Sequence, residues 1–295
     1  MNRRETLADR EDAMTLEVRQ IGPGFAAEIG GIRLSDSLSD AEIQELRQVW
    51  MENKVAILRG QDLSDDDLLG FTKRMGTLFT HVRSMFHSDT HPEIMYVSNL
   101  KEEGRALGAL GDGDLSWHTD QSYTARPCWG TLLYGIEVPR DGGNTYFADL
   151  QAAYERMPAD MRAAVDGRRV IYSVQAAEVS KRSPISAEAR ARTPDVSQPL
   201  VRTHPCLGHK VIYASPNHYV RIEGMPQAES DVLFRRLKDW IGRDEFVYSH
   251  RWRVGDVVFW DNASVAHRRD AFPPTQRRFL KRTGFRLPDE LAVPF

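Results

Sequence analysis

The sequence predicts an α+β protein, mainly β, with a double-stranded β-helix (jelly roll) core and flanking helices. Short apolar segments such as VAILRG, GTLLYGIEV and VVFWDN recur along the chain, separated by turns rich in glycine, proline and aspartate. Many short strands with such turns are typical of a β-sandwich or β-barrel. Helical spacing of apolar residues is confined to a few segments between the strands. The sequence has no internal repeat, and we expect a single domain over residues 1–295.

The N-terminal third of the chain mixes both kinds of element. TLEVRQIG and FAAEIGGI are expected to be short strands because glycines bound them. Ser39 and Glu42 match a capping box, and apolar residues follow at helical spacing through Trp50, which predicts a helix. After the strand VAILRG, Ser64 is the expected N-cap of a second helix with acidic residues in its first turn.

Strands dominate the rest of the chain, with helices expected at LQAAYERMPADMRAAVDG and over residues 226–241. The expected strands are Trp117–Tyr123, GTLLYGIEV, NTYFAD, RRVIYSV, LVRTHP, KVIYAS, EFVYSHRW, VVFWDN and RRFLKRTGFRL. Segments 79–115 and 176–199 show no clear period, apart from the strand-like IMYVSNL. Long irregular segments in a compact domain are commonly functional, so we expect both to be active-site loops.

The composition excludes several classes of protein. A formal net charge of −3 gives no electrostatic reason to expect binding to nucleic acid or to an anionic membrane. Two cysteines are too few for a disulfide framework or a thiolate metal cluster. The N-terminus MNRRETLADREDAM is charged and lacks the apolar core of a signal peptide, and no long apolar run could span a membrane. We therefore expect a cytoplasmic location.

A possible metal site begins in the segment SWHTDQSY. If this segment is a strand, His118 and Asp120 project from the same face, because residues i and i+2 of a strand share a face. Two histidines and one carboxylate can bind Fe(II) while leaving coordination positions open. His267, which follows VVFWDN, is the candidate for the third ligand from a distant strand. The alternative is that His118 and Asp120 are a solvated pair and His267 a surface histidine.

Two arginines share one face of the last expected strand. In RRFLKRT, Arg278 and Arg282 alternate with Leu280. If this face is buried, an unpaired guanidinium there is expensive, about 3–5 kcal/mol. Two inward arginines would therefore need two carboxylate-like partners, which the guanidinium binds in bidentate fashion. The alternative is an edge strand with both arginines in solvent.

Several ordered motifs carry a family resemblance over nearly the whole chain. WHTD, GGNTYFADL, GDVVFWDN and the final pattern H…RR…R resemble the Fe(II)/2-oxoglutarate-dependent dioxygenases of the taurine dioxygenase and 2,4-dichlorophenoxyacetate dioxygenase family. The resemblance implies Fe(II), 2-oxoglutarate and O2 as cofactor and cosubstrates, and hydroxylation of a small anionic molecule with release of succinate and CO2. The expected substrates are of the aryloxyalkanoate, carboxylate or sulfonate type. Related enzymes are often oligomers, so a homo-oligomer is expected.

The same resemblance implies roles for individual residues. It makes His118, Asp120 and His267 the iron ligands. It makes Thr145 and Arg278 the residues that hold the distal carboxylate of 2-oxoglutarate.

For the prime substrate, the resemblance implies Arg282 as the anion-binding residue, with His81 as a second contact. Asp114 is the third expected substrate residue, because it falls where the taurine branch has a substrate-contacting asparagine. The change from asparagine to aspartate argues against taurine-like contacts. The segment WDNASVAH has Ala263 where the family usually has arginine.

Three alternative functions remain open at this stage. The same chemistry could serve a biosynthetic hydroxylase of an amino-acid-like metabolite. A zinc hydrolase can use a similar set of ligands, and it would turn over without O2 or 2-oxoglutarate. A jelly-roll binding module without enzymatic activity would release no succinate.

Overall fold

Two sheets that face each other position the residues of interest. The computed structural model describes residues 16–35, 37–177 and 185–287, which contain twenty strands and six α-helices. The helices are α1 (Asp40–Asn53), α2 (Asp65–Met75), α3 (Leu150–Glu155), α4 (Ala159–Val165), α5 (Ala187–Ala191) and α6 (Gln227–Ile241). Single turns of 3₁₀-helix lie at Ser84–Phe86, Pro216–His218 and Asp244–Phe246.

The two N-terminal helices begin where the sequence predicts. At the start of α1, Ser39 Oγ accepts the Glu42 N–H, and the Glu42 carboxylate accepts the Ser39 N–H. Ser64 and Asp67 make the same reciprocal pair at the start of α2. Both capping boxes satisfy backbone donors that the first turn of a helix leaves free.

The large sheet has nine strands, most of them antiparallel. They are β1 (Glu17–Ile21), β2 (Ala26–Gly30), β3 (Val55–Leu58), β4 (Thr77–Leu78), β5 (Met95–Ser98), β8 (Ala109–Leu110), β10 (Gly130–Glu137), β18 (Val257–Asp261) and β20 (Phe279–Arg286). Their order is β1-β2-β3-β18-β10-β20-β5-β8, with β4 also paired to β20. The central strands alternate between two apolar layers, as the period of a strand requires: Val257 and Phe259 pack toward α1 and α2, whereas Val258 and Trp260 point to the small sheet.

The small sheet has four strands in the order β17-β11-β19-β9. They are β9 (Leu115–His118), β11 (Thr145–Asp149), β17 (Val247–His250) and β19 (Val265–Arg269). Phe147 and Val265 face the large sheet, while Ala148 and Ala266 face a second apolar layer with α3 and α6. Helices therefore cover the outer side of each sheet, and the space between the sheets holds the candidate site.

The remaining strands form smaller units. A three-stranded sheet has β12 (Arg169–Tyr172) between β13 (Val196–Pro199) and β16 (Tyr219–Ile222). Two hairpins pair β6 (Lys101–Glu102) with β7 (Arg105–Ala106), and β14 (Val201–Thr203) with β15 (Lys210–Ile212). Among the residues described, no helix is both long and apolar enough to cross a bilayer.

Three expectations from the sequence are corrected here. The strand expected at Trp117–Tyr123 ends at His118, because the Asp120 N–H donates to the Asn262 side chain (3.0 Å) and the chain then turns through Gln121 at φ +54°. Segment 79–115 is not irregular, since it contains several short strands, and β5 and β8 extend the large sheet. In segment 176–199, residues 178–184 lie outside the described ranges, and the described part forms α5 and β13.

Candidate active site

One cavity between the two sheets collects an unusual set of charged side chains. Among the described residues that line it, Asp120 is the one acidic residue. Five arginines line the same cavity: Arg83, Arg268, Arg269, Arg278 and Arg282. Its histidines are His81, His118, His218 and His267. Positive side chains therefore greatly outnumber negative ones.

The pairing of two strands brings two predicted ligands together. His118 ends β9 and is the direct partner of His267 on β19, so both side chains project toward the large sheet. Their ring centroids are 4.1 Å apart. Asp120 follows two residues after His118, with one carboxylate oxygen 3.9 Å from His118 Nε2 and the other 3.8 Å from His267 Nε2. One donor atom from each of the three residues lies within 4.8 Å of the others.

Each imidazole is held by its surroundings. His118 Nδ1 lies 2.9 Å from the Ser116 carbonyl oxygen, which can only accept, so Nδ1 carries the proton and Nε2 keeps its lone pair. The His267 ring packs against Trp260 (4.6 Å between centroids) and Phe147 (6.3 Å). A hydrogen bond to the second ring nitrogen, as at His118, is usual for metal-ligating histidines. Nδ1 of His267 has no hydrogen-bond partner among the described residues, so packing alone orients this ring.

The Asp120 carboxylate is held by a hydrogen-bonded network from the large sheet. Thr131 Oγ1 on β10 donates to Asp120 Oδ2 at 2.6 Å, and Asn262 Nδ2 donates to the same Thr131 oxygen at 3.0 Å. Asn262 Oδ1 accepts the backbone N–H of Asp120 and the indole N–H of Trp260, both at 3.0 Å. On the other side, Arg282 Nη2 lies 3.0 Å from Asp120 Oδ1.

These surroundings determine the charge of the three side chains. Burial by itself would raise the pKa of Asp120, but the neighbouring Arg282 and the hydrogen bond from Thr131 bring it below its usual value. Burial lowers the pKa of His118, and lowers that of His267 well below the usual value. The site therefore combines a charged carboxylate with neutral imidazoles, which is the protonation state that a metal ion requires.

The donor set fits a divalent metal ion such as Fe(II). Two imidazole nitrogens and one carboxylate oxygen converge in one region of the cavity, and the cavity leaves space on their open side. This composition is that of the facial triad of non-haem iron oxygenases. Among the residues that the structure describes, no other cluster of three histidines, cysteines or acids comes together in this way.

Arg278 and Thr145 both line the same cavity. Arg278 is 1% exposed, and its Nε and Nη1 have no hydrogen-bond acceptor among the described residues. Burial and the neighbouring Arg269 lower the pKa of Arg278 well below its usual value. Thr145 Oγ1 accepts the indole N–H of Trp252 at 3.0 Å, which leaves its own proton available. This region can therefore bind an anion.

Arg282 shares the inner face of β20 with Leu280 and the preceding Arg278, as the alternation in the sequence predicts. Both arginines are buried, so the alternative of an edge strand with solvated arginines is wrong. Asp120 provides one carboxylate partner for Arg282 from within the protein. Sequence spacing could not show this contact, since 162 residues separate the two side chains (282 − 120).

The other two predicted substrate residues have different positions. His81 lines the cavity; its Nδ1 accepts the Arg83 N–H at 3.2 Å, so the neutral ring carries its proton on Nε2. Asp114 is exposed and does not line this cavity, because its carboxylate accepts the Ala271 N–H at 2.6 Å. We therefore withdraw Asp114 as a substrate contact. Ala263 is buried in the apolar layer beneath α1 and α2, outside the cavity.

Comparisons with known proteins find relatives that match nearly the whole chain. The sequence profile of the family "Taurine catabolism dioxygenase TauD, TfdA family" matches residues 17–283. An alpha-ketoglutarate-dependent 2,4-dichlorophenoxyacetate dioxygenase of Cupriavidus pinatubonensis is 32% identical over 91% of this chain and 97% of its own. A pentalenolactone F synthase of Streptomyces avermitilis is 30% identical over 88% and 90%. The crystal structure of AAD-2 in complex with Mn(II) and N-oxalylglycine has a TM-score of 0.79 and 28% identity over 94% and 99%.

The network around Asp120 gives a testable prediction. Thr131→Val removes the hydroxyl that donates to Asp120 Oδ2 but keeps the volume of the side chain. Because loss of a partner of a metal-ligating carboxylate commonly costs about tenfold or more in affinity, we expect Mn(II) to bind roughly tenfold more weakly in an anaerobic titration. Thr131→Ser keeps a hydroxyl and should bind nearly as the wild type. Unchanged affinity in Thr131→Val would show that this hydrogen bond does not orient the carboxylate.

Proposed function

The chain belongs to the taurine catabolism dioxygenase TauD, TfdA family, and on this basis we propose that His118, Asp120 and His267 bind its iron. The protein is an Fe(II)- and 2-oxoglutarate-dependent dioxygenase, an oxidoreductase. In the overall reaction, 2-oxoglutarate and O2 yield succinate and CO2, and one oxygen atom is added to the prime substrate. Bound Fe(II) would supply the activation of O2.

The protein's own residues have positioning roles in this reaction. Ser116 fixes the His118 tautomer, and Thr131 orients the Asp120 carboxylate, so the donor atoms are arranged before metal binds. Thr145 and Arg278 would hold the distal carboxylate of 2-oxoglutarate. The buried nitrogens of Arg278 that lack an acceptor support this role, because an unpaired buried guanidinium is costly and a carboxylate would satisfy it.

We propose that the prime substrate is a small organic anion with an apolar body. The observation that carries this proposal is the charge of the cavity, with five arginines against one carboxylate among its described lining residues. The two charges of Fe(II) and the two of 2-oxoglutarate cancel, so the excess of positive side chains remains. The rest of the lining is largely apolar: Met95, Val97, Ala109, Leu110, Leu115, Leu133, Val174 and Ala177.

Arg282 is the proposed contact for the substrate anion, with His81 as a second donor. A guanidinium has five N–H donors, so Arg282 can contact Asp120 and still bind a carboxylate or sulfonate. His81 carries its proton on Nε2, and burial lowers its pKa well below the usual value, so it would act as a neutral donor. An aryloxyalkanoate fits both the apolar lining and the anion-binding groups. One relative is named for a substrate of this class, 2,4-dichlorophenoxyacetate.

The alternative functions are less well supported. The family match disfavours a zinc hydrolase and a binding module without activity. An amino-acid-like substrate would bring an ammonium group into a cavity whose one acidic residue, among the described residues that line it, is the proposed iron ligand Asp120. Like charges in such surroundings repel strongly.

Four further expectations stay predictions. They are a jelly-roll core formed by the large and small sheets, one dioxygenase domain over residues 1–295, a homo-oligomer and a cytoplasmic location. The mainly β architecture, with helices on the outer side of both sheets, supports the first of them.

The proposed cosubstrate contact can be tested at Arg278. We expect Arg278→Gln to raise the KM for 2-oxoglutarate about tenfold to a hundredfold, since a hydrogen bond to a charged group contributes roughly 1.5–3 kcal/mol. Mn(II) affinity should change little. Arg277→Gln is the matched control, because Arg277 is exposed and paired with Glu137. If Arg278→Gln keeps the wild-type requirement for 2-oxoglutarate, the contact has been misassigned.

The proposed substrate class is tested with an aryloxyacetate and its neutral amide. The anion should support succinate release at least about tenfold more efficiently than the amide, because one charge-assisted hydrogen bond is worth about that much. Arg282→Lys should lose most of this preference, since an ammonium cannot form a bidentate fork. Lys281→Gln, which alters a residue paired with Asp65, is the control.

Mn(II) affinity is measured in parallel for Arg282→Lys, because this arginine also contacts Asp120. Equal turnover of the anion and the amide by the wild type would exclude an anion-selective site.

A further inference from the structure

A third buried arginine lies beside the proposed cosubstrate contacts. Arg269 is the last residue of β19, it is 3% exposed, and it lines the cavity. It is the direct cross-strand partner of Thr145 on β11. Side chains of directly opposed residues leave the sheet on the same face and lie next to each other. Arg269 therefore lies beside one of the two proposed 2-oxoglutarate contacts.

Arg269 also lies near the other proposed contact, Arg278. The guanidinium carbon of Arg269 is 5.3 Å from the centre of the Phe272 ring, and that of Arg278 is 5.9 Å from the same centre. Two buried cations in one region repel each other, and an anion between them would remove this cost. The acids nearest to Arg269 are Asp112, Asp114 and Asp270, and none of them lines the cavity.

The hydrogen bonds of Arg269 leave part of its guanidinium unsatisfied. Nη2 donates to the carbonyl oxygens of Leu110 (3.0 Å) and Gly113, at the two ends of the 110–113 loop (residues 110–113). Nε and Nη1 are buried and have no acceptor among the described residues, as is also true of Arg278. Nε and Nη1 of both arginines thus lack acceptors within the described part of the chain, and the two oxygens of a carboxylate can accept several such bonds.

The 110–113 loop depends on this arginine. Leu110 has a φ of +78°, a left-handed conformation that is unfavourable for a residue with a branched side chain. Its carbonyl is one of the two that Arg269 binds, and its side chain lines the cavity. The loop is therefore held in place from the cosubstrate end of the cavity.

We propose that Arg269 is a second arginine that binds the distal carboxylate of 2-oxoglutarate, and that it couples cosubstrate binding to the order of the 110–113 loop. This inference rests on the proposed function, since it assumes that Thr145 and Arg278 form the cosubstrate site. Nη2 stays on the loop carbonyls while Nη1 donates to the carboxylate. A bound cosubstrate then fixes the guanidinium, and the guanidinium fixes the loop.

The test compares two 2-oxoacids that differ only at the distal end. In 2-oxopentanoate a methyl group replaces the distal carboxylate of 2-oxoglutarate. Binding of both is measured to the Mn(II)-loaded protein without O2. We expect Arg269→Gln to raise the Kd for 2-oxoglutarate about tenfold or more, as for loss of a hydrogen bond to a charged group, and the Kd for 2-oxopentanoate less than about twofold.

The control is Arg277→Gln, an exposed arginine paired with Glu137, which should affect neither ligand. An equal rise in the Kd of both ligands in Arg269→Gln would mean that Arg269 serves only to hold the loop. An unchanged Kd for both would mean that Arg269 does not contact the cosubstrate. Either result overturns the proposal. If Arg269→Gln does not fold, Arg269→Lys is used, with selective weakening of 2-oxoglutarate again expected.

Arg278→Gln separates this inference from the proposed function. Selective loss of 2-oxoglutarate in Arg278→Gln but not in Arg269→Gln would overturn only the inference. No selective loss in Arg278→Gln would overturn the cosubstrate site itself.

Hydrogen exchange of peptides that cover residues 107–114 measures the coupling. Saturating 2-oxoglutarate should slow exchange of this segment in the Mn(II)-loaded wild type and in Arg277→Gln, and should leave it unchanged in Arg269→Gln. Equal slowing in Arg269→Gln would contradict a link between the carboxylate and the loop through this arginine.

Discussion

The buried carboxylate of Asp120 is the constraint on which the rest of the site depends. A charge away from water is tolerated only when partners compensate for its lost hydration. Those partners, Arg282 and Thr131, come from the large sheet, whereas Asp120 follows β9 of the small sheet beside the neutral imidazoles of His118 and His267. The two sheets must therefore face each other in one register for Asp120 to remain ionised. The same arrangement presents both imidazoles and the carboxylate to one point, so the contacts that stabilise the charge also build the metal site.

Arg278, just before β20, and Arg282, within β20, point into the cavity at different positions along the chain. The cavity therefore has two regions with different chemistry. Nη2 of Arg282 lies 3.0 Å from Asp120, whereas no acidic residue other than Asp120 lines the cavity in the described part of the chain. Asp120 therefore offsets part of the positive charge at Arg282 before any ligand binds, and the region of Arg278 is the more positive of the two. A dianionic cosubstrate has its strongest electrostatic attraction at the second region. The apolar residues between the sheets keep the dielectric low, which strengthens each of these interactions.

Sequence patterns predicted the features that depend on residues close together in the chain, such as helix caps and strand faces. The capping box at Ser39, the N-cap at Ser64 and the shared strand face of Arg278 and Arg282 follow from spacing alone. The end of β9 at His118 could not be predicted in this way, because the turn after it depends on a hydrogen bond to Asn262, a residue far along the chain. The same limitation hid the contact of Arg282 with Asp120 and the roles of Thr131 and Arg269, since only strand pairing makes them neighbours. Asp114 was assigned wrongly because its direction is set by a bond to the Ala271 backbone.

Anaerobic titration with Fe(II) tests the central claim most directly, namely that the three residues brought together around Asp120 form one iron site. The wild type should bind one Fe(II) per chain, because one group of suitable donors converges in the described part of the chain. Asp120→Ala and His267→Ala should each lose stoichiometric binding while remaining folded, since a site with three protein ligands cannot spare one. Stoichiometric Fe(II) binding of wild-type affinity in His267→Ala would contradict the account.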